Sequence, residues 1–141
     1  MRDFTIYLAG PMTGLSFSEY NDWRVSLSGY LYDSAEGYSV NLEVINPVNY
    51  YNFKNLSNDT ELEVMKWDLR AVKRSNLIIA KIDGTSIGTA MELITAYNLD
   101  IPILAYNSSN AEPHPWIRCC VDKEFTNITD LVEYVGNFYM L

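Results

Sequence analysis

Two acidic residues stand where a carboxylate can do chemistry. Glu92 falls about one turn into a helix that the sequence opens after Gly88-Thr89. There it faces the end of the preceding strand, near the positive end of the helix dipole, which favours the ionised form a nucleophile needs. The alternative is a solvated glutamate that only complements the dipole. Asp68 lies between Trp67 and Leu69, at the border of the apolar face drawn by Leu62, Met65 and Val72. A carboxyl beside an indole tends towards a raised pKa and can hold a proton; otherwise it is an exposed helix aspartate. Asp83 closes a strand, where it can bind a sugar hydroxyl or simply hold the Asp-Gly turn. Tyr7, three residues before Gly10, is either core alone or a core ring whose hydroxyl reaches a site. Ser86, Gly88 and Thr89 open a helix with small residues, so backbone N–H groups and two hydroxyls make a seat for an oxyanion or phosphate. The segment has neither the P-loop lysine nor the Gly-x-Gly-x-x-Gly of dinucleotide binding.

Other chemistries find little support. His114 is the only histidine and has proline on both sides, which makes it a loop residue and not a base. No Cys/His/Asp cluster has metal-ligand spacing, so neither a metal nor another cofactor is expected. No Gly-x-Ser-x-Gly elbow is present. Arg70, Lys73 and Arg74 read as a solvated helix face. Cys119 and Cys120 are adjacent and do not make a disulfide framework.

The elements that must position these residues alternate. Phe4–Ala9, Leu42–Pro47, Leu77–Ile82 and Ile101–Tyr106 are short, continuous apolar runs that read as buried strands, with a last short strand near Phe125. Helices are expected from a Ser16 or Ser18 cap to about Tyr32, with Trp23, Leu27, Tyr30 and Leu31 on one face. Others run from Glu61 to about Arg74 after an Asp59 or Thr60 cap, and from Thr89 to about Asn98. The last starts at Thr129 or Asp130, with Leu131, Val132, Val135 and Phe138 apolar. Trp116–Val121 fits a short helix or a strand. Tyr50–Asn55 is a polar, aromatic loop with a mobile tip. Unbroken apolar strands alternating with helices specify a parallel sheet covered on both faces, with right-handed crossovers. In such folds ligands sit at the carboxyl ends of the strands. Three loops occupy that edge: Gly10 to Gly14, Pro47 to about Asn55, and Asp83 to Gly88.

The chain of 141 residues, at 48% hydrophobic and 20% charged, is one domain over residues 1–141, large enough for a core without disulfides or metal. A net charge of −8 repels polyphosphate and argues against a nucleic-acid polymer as partner. No apolar run approaches the roughly 20 residues that span a bilayer, and the N-terminus lacks the pattern of a signal peptide. A cytoplasmic protein without a membrane partner is expected. The Asn-x-Ser/Thr triplets at Asn55, Asn58, Asn107 and Asn127 then read as chance.

Taken together, Ile6-Tyr7-Leu8-Ala9-Gly10-Pro11, Asp68, Ile79-Ala80-Lys81-Ile82-Asp83-Gly84 and Gly88-Thr89-Ala90-Met91-Glu92-Leu93 resemble the nucleoside 2-deoxyribosyltransferase family. The match runs from about Thr5 to Leu104, and the Gly-Thr-Ala-x-Glu-Leu segment and the Ala-Gly-Pro opening are its most specific parts. The resemblance implies a flavodoxin-like α/β fold with a five-stranded parallel sheet. It also implies cleavage of the N-glycosidic bond of a (deoxy)nucleoside or its 5′-monophosphate through a covalent glycosyl-glutamate. Glu92 would be the nucleophile, Asp68 the group that assists the departing base, and Tyr7 the group that orients the nucleophile. Gly10 would let the base approach the first loop, where Pro11 and Thr13 also meet substrate; Asp83, Ser86, Gly88 and Thr89 would complete the substrate contacts.

The chain departs from the transferase pattern at Ser86, six residues before Glu92, where transferases hold the sugar with an aspartate. Serine there resembles the branch that hydrolyses 2′-deoxynucleoside 5′-monophosphates and binds phosphate with that serine. The first loop, Gly-Pro-Met-Thr-Gly, lacks the serine and arginine that branch uses, leaving Thr13. A monophosphate hydrolase and a non-catalytic nucleotide-binding protein are therefore the alternatives. The resemblance also implies a homodimer or higher homo-oligomer, and Tyr50, Tyr51, Phe53, Trp116, Phe138 and Tyr139 fit a buried interface.

Overall fold

A computed structural model describes residues 1–51, 58–84 and 86–141. The expected loop tip at Asn52–Asn55, with Phe53 and the Asn55 triplet, and Thr85 of the Asp83–Gly88 loop lie outside them. The strands are β1 (Arg2–Ala9), β2 (Val40–Ile45), β3 (Leu77–Lys81), β4 (Ile103–Tyr106) and β5 (Lys123–Phe125). The helices are α1 (Phe17–Ala35), α2 (Asn58–Lys73), α3 (Ile87–Asn98), α4 (Pro115–Cys120) and α5 (Ile128–Tyr139), with a 3₁₀ turn at Pro47–Asn49.

All strands are parallel, in the order β2-β1-β3-β4-β5, the flavodoxin-like arrangement with ligands expected beside β1 and β3, where the order reverses. Alternation along β1 builds two core layers. Phe4, Ile6 and Leu8 pack with Leu27 and Leu31 of α1 and with Leu131 and Val135 of α5. Tyr7 and Ala9 point the other way, to Ala71 and Val72 of α2 and Leu93 and Ala96 of α3. Each fully buried leucine or isoleucine contributes about 2 kcal/mol of transfer free energy. Tyr7 thus belongs to the same layer as the helices that carry Asp68 and Glu92.

The elements follow the expected order, and several ends and faces differ. α3 starts two residues before Thr89 because the Ser86 hydroxyl accepts from the Thr89 N–H and caps it. α2 starts at Asn58, which puts Asp59 and Thr60 inside its first turn and not at its cap. α5 starts at Ile128 after an Asn127 cap, ahead of the expected Thr129 or Asp130. Ser16 caps α1 in a capping box with Glu19. Trp116–Val121 resolves to the helix α4, on which the exposed His114 acts as cap, its Nδ1 accepting from the Trp116 N–H at 3.1 Å. Tyr30, Leu62 and Phe138, expected on buried faces, are 57%, 49% and 68% exposed. In α2 the buried stripe is Val64, Ala71 and Val72, with Trp67 and Asp68 half-buried alongside it.

Candidate active site

Glu92 and Asp68 converge. A cavity of about 400 Å³ at the carboxyl edge of the sheet is walled by Asp68 and Glu61 of α2, Gly88 and Glu92 of α3, and Thr13 of the first loop. The rotated buried face of α2 is what turns Asp68 inwards, one helical turn from Val64 and from Val72. α3 brings Glu92 in on the turn before Leu93 and Ala96, which dock on the sheet. Tyr7 lies beneath them in β1, fully buried.

Polar atoms collect here without hydrogen-bond partners among the described residues. Tyr7 Oη, Asp68 Oδ1 and Glu92 Oε2 are buried and lack a hydrogen bond, as does Thr89 Oγ1 nearby. The Tyr7 hydroxyl lies close enough to the Glu92 carboxylate to act on its acidity, while Oη and Oε2 complete no bond of good geometry.

Burial governs their acidity. It pushes the Glu92 carboxyl up to about 7, helped by the Asp68 charge and opposed by Tyr7 and Arg24. This corrects the expectation that the helix dipole holds Glu92 ionised: desolvation outweighs it. Burial likewise raises Asp68 to about 6, against the pull of Arg24. The Tyr7 hydroxyl is driven far above its usual range by burial and by Glu92 and Asp68, and stays a neutral donor. Two raised carboxyls in one cavity titrate as a pair. A single proton shared by the pair leaves one carboxylate to act as a nucleophile and one carboxyl to act as an acid.

The remaining expected substrate residues divide across the first turn of α3. Ser86, Thr89 and Asp83 line a second, more apolar cavity of about 500 Å³, whose outer wall is Pro113, His114, Trp116 and Ile117. Asp83 is tied down: its Oδ1 pairs with Lys81 Nζ at 3.0 Å and its Oδ2 accepts from the Ser108 hydroxyl. Burial would raise its pKa, yet these bonds hold it below the usual carboxylate range. Gly10 and Pro11 are buried at the end of β1 and line neither cavity. The need for glycine at position 10 is internal. A Cβ there would meet Trp23 Cζ2 at 2.8 Å, Arg24 Nη2 at 3.2 Å and Lys81 Cβ at 3.4 Å.

Arg24 is the residue that sequence reasoning missed. It is fully buried, and its guanidinium donates to the carbonyls of Leu8 (3.4 Å), Gly10 (3.0 Å) and Tyr20. It also lies 4.7 Å from the Trp23 ring centre. The signal was present: Arg24, Leu27 and Leu31 sit at i, i+3 and i+7, a charge on an apolar stripe. Among the described residues no group of three or more His, Cys, Asp or Glu is placed to hold a metal, and no helix is long and apolar enough to cross a membrane.

No protein-family model matches the sequence, and no curated protein matches it significantly. Solved structures do match. A 2-deoxyribosyltransferase from the bacterium Bacillus psychrosaccharolyticus shares 22% identity over 92% of this chain and 91% of its own, with a TM-score of 0.74. A conserved protein from Enterococcus faecalis shares 19% identity over 95% of this chain and 98% of its own, with a TM-score of 0.71. A CMP N-glycosidase from Clostridium botulinum shares 18% identity over 95% of this chain and 98% of its own, with a TM-score of 0.60. At these identities the likeness is one of fold: the five-stranded parallel three-layer architecture of this chain matches the flavodoxin-like fold of these neighbours.

Proposed function

We propose that this protein cleaves the N-glycosidic bond of a (deoxy)nucleoside through a covalent glycosyl-glutamate and passes the sugar to another base or to water. The observation that carries the reading is the convergence of Glu92 and Asp68 on one cavity, both raised towards neutrality by burial. Breaking the bond builds positive charge on the sugar ring, which a buried carboxylate stabilises and then captures. Glu92 forms a bond to the anomeric carbon as the bond from that carbon to the base nitrogen breaks. The electron pair leaves with the base, and Asp68 supplies a proton to it. In the second half a new base or water attacks the anomeric carbon, gives up its proton to the Asp68 carboxylate and releases Glu92. Tyr7, a neutral donor beneath the pair, orients the nucleophile. The 2-deoxyribosyltransferase and the CMP N-glycosidase among the structural neighbours support this chemistry.

Ser86 favours a second reading. It stands where transferases hold the sugar, and its hydroxyl lies at the N-terminus of α3, where a 5′-phosphate would be favoured. On that reading the enzyme hydrolyses 2′-deoxynucleoside 5′-monophosphates. Incubation with deoxynucleosides or their monophosphates, with and without a second free base, separates the readings by chromatography. Base exchange identifies a transferase, and free base from the monophosphate alone identifies the hydrolase. No change in any mixture would leave a binding protein and overturn the proposal. Glu92→Ala is expected to abolish turnover while substrate still binds; undiminished turnover in that variant would remove the mechanism.

A further inference from the structure

We propose that Arg24 is a positioning residue for Glu92: from the opposite layer it tethers the end of β1 and brings the only buried positive charge among the described residues to bear on the two site carboxyls. The inference rests on the reading of Glu92 as the reacting group.

The case begins with cost. Moving a guanidinium out of water costs several kcal/mol even after relaxation, and proteins normally offset this with a carboxylate in contact. Arg24 has no such contact. Its hydrogen bonds go to the neutral carbonyls of Leu8, Gly10 and Tyr20, and its face lies on Trp23. No carboxylate of the described residues comes within ion-pair distance of it, although Arg74 and Arg118 both have such partners. A methionine or leucine would continue the stripe of Leu27 and Leu31 and would fill the same space without the penalty. What the apolar residue would lack is the charge and the bonds to the three carbonyls.

That charge acts on the cavity. Through space, Arg24 pulls down the pKa of Glu92, of Asp68 and of the Tyr7 hydroxyl. The groups that act on Glu92 are Tyr7 from β1, Arg24 from α1 and Asp68 from α2, and Glu61 of α2 shares its cavity. Elsewhere around α3, Lys81 is paired with Asp83 at the end of β3, and Arg118 of α4 is engaged by Glu112 and Glu124. Of the groups acting on Glu92, only Arg24 is positive. Burial lowers its own pKa to about 10, so it keeps its proton wherever the carboxyls titrate. It therefore opposes the burial that would otherwise leave Glu92 protonated and unable to attack. By holding the Gly10 carbonyl it also fixes the turn that leads into the Thr13 side of the cavity.

Three variants test this. Arg24→Met keeps length and apolar fit, Arg24→Gln keeps a donor for the carbonyls without charge, and Arg24→Lys keeps charge without the planar fork. The readouts are the pH dependence of kcat/KM and, independently of turnover, the ¹³C titration of the Glu92 carboxyl. Removing an opposite charge at such a site raises a carboxyl by about one unit or more. Met and Gln are therefore expected to move the acid limb of the profile, and the Glu92 titration midpoint, upwards by about one unit. That is about a tenfold loss on the acid limb; Lys is expected to recover at least half of the displacement. If Arg24→Met does not fold, Arg24→Gln carries the same test. A folded Met or Gln variant whose limb and midpoint stay in place would overturn the inference, because a purely structural role predicts lost stability without a displaced titration. A Lys variant displaced as far as Gln would overturn it as well. If the parent protein turns over no nucleoside or nucleotide, the proposed function fails on its own, and the carboxyl titration still decides the role of Arg24.

Discussion

Ionising Glu92 inside the fold is costly, and that cost is a property of the whole protein's stability. Its carboxyl rises from 4.5 to about 7, chiefly by burial and then by the Asp68 charge. The folded state therefore binds this proton more tightly than the unfolded chain does. The resulting stabilisation is fully present below about pH 4.5 and is lost as the pH rises through about 7. At about 1.4 kcal/mol per unit the loss is about 3–4 kcal/mol. Glu92→Gln keeps the shape and cannot ionise. It should be more stable than the parent by about 3–4 kcal/mol at about pH 8.5 and no more stable at about pH 4, as read by urea unfolding at both values. A gain that is the same at both would show that Glu92 is not held protonated by its surroundings. Glu92 and Asp68 were legible in the sequence because carboxylates at strand edges and beside indoles are few. Arg24 was not, because a pattern of apolar spacings passes over a charge in the stripe. What gives it away is the set of strand-end carbonyls it reaches, and those become neighbours only in the fold.

At the scale of elements, the turn from β1 into α1 has no room to spare. A methyl group at Gly10 would stand 2.8 Å from the Trp23 ring, which is itself held by Arg24 and Tyr106. Gly10→Ala should cost about 1–3 kcal/mol, as overpacking does. At Gly29, inside α1, a methyl group would meet nothing within 4 Å. Gly29→Ala should therefore stabilise by about 0.5–1 kcal/mol through helix propensity alone. Opposite shifts in thermal midpoint for these two substitutions are the expected result; a neutral Gly10→Ala would show that Trp23 can move aside. The strands were readable from the sequence because burial on both faces makes them unbroken apolar runs. Helix ends were less so. Which of Ser86, Asn127 or Asp59 caps a helix depends on which side chain meets a free N–H, and neighbouring polar residues offer nearly equal choices. Faces slipped for the same reason: Leu62 and Met65 sit at helical spacing, yet α2 turns Val64 and Ala71 to the sheet.

For the molecule as a whole, exposed aromatic surface remains. Trp116, Phe138 and Tyr50 are 80%, 68% and 52% exposed, while Tyr139 packs on the core. Trp116 and Ile87, itself 83% exposed, flank the more apolar cavity beside α3. Large aromatics left in water favour association, and the chain is expected to sediment as a dimer or larger at micromolar concentration. A monodisperse monomer would contradict this. The parallel sheet limits how such an assembly can form. Its outer strands are β2, which turns Asn41 and Glu43 outwards, and β5, only three residues long and starting at Lys123. The Val44 N–H is already claimed by the Tyr32 hydroxyl at 2.8 Å. Borders this short, charged and occupied are poor templates for another chain to zip onto. Copies of this protein should therefore meet through helices and loops, and growth into fibrils through continued strand pairing is disfavoured from the start.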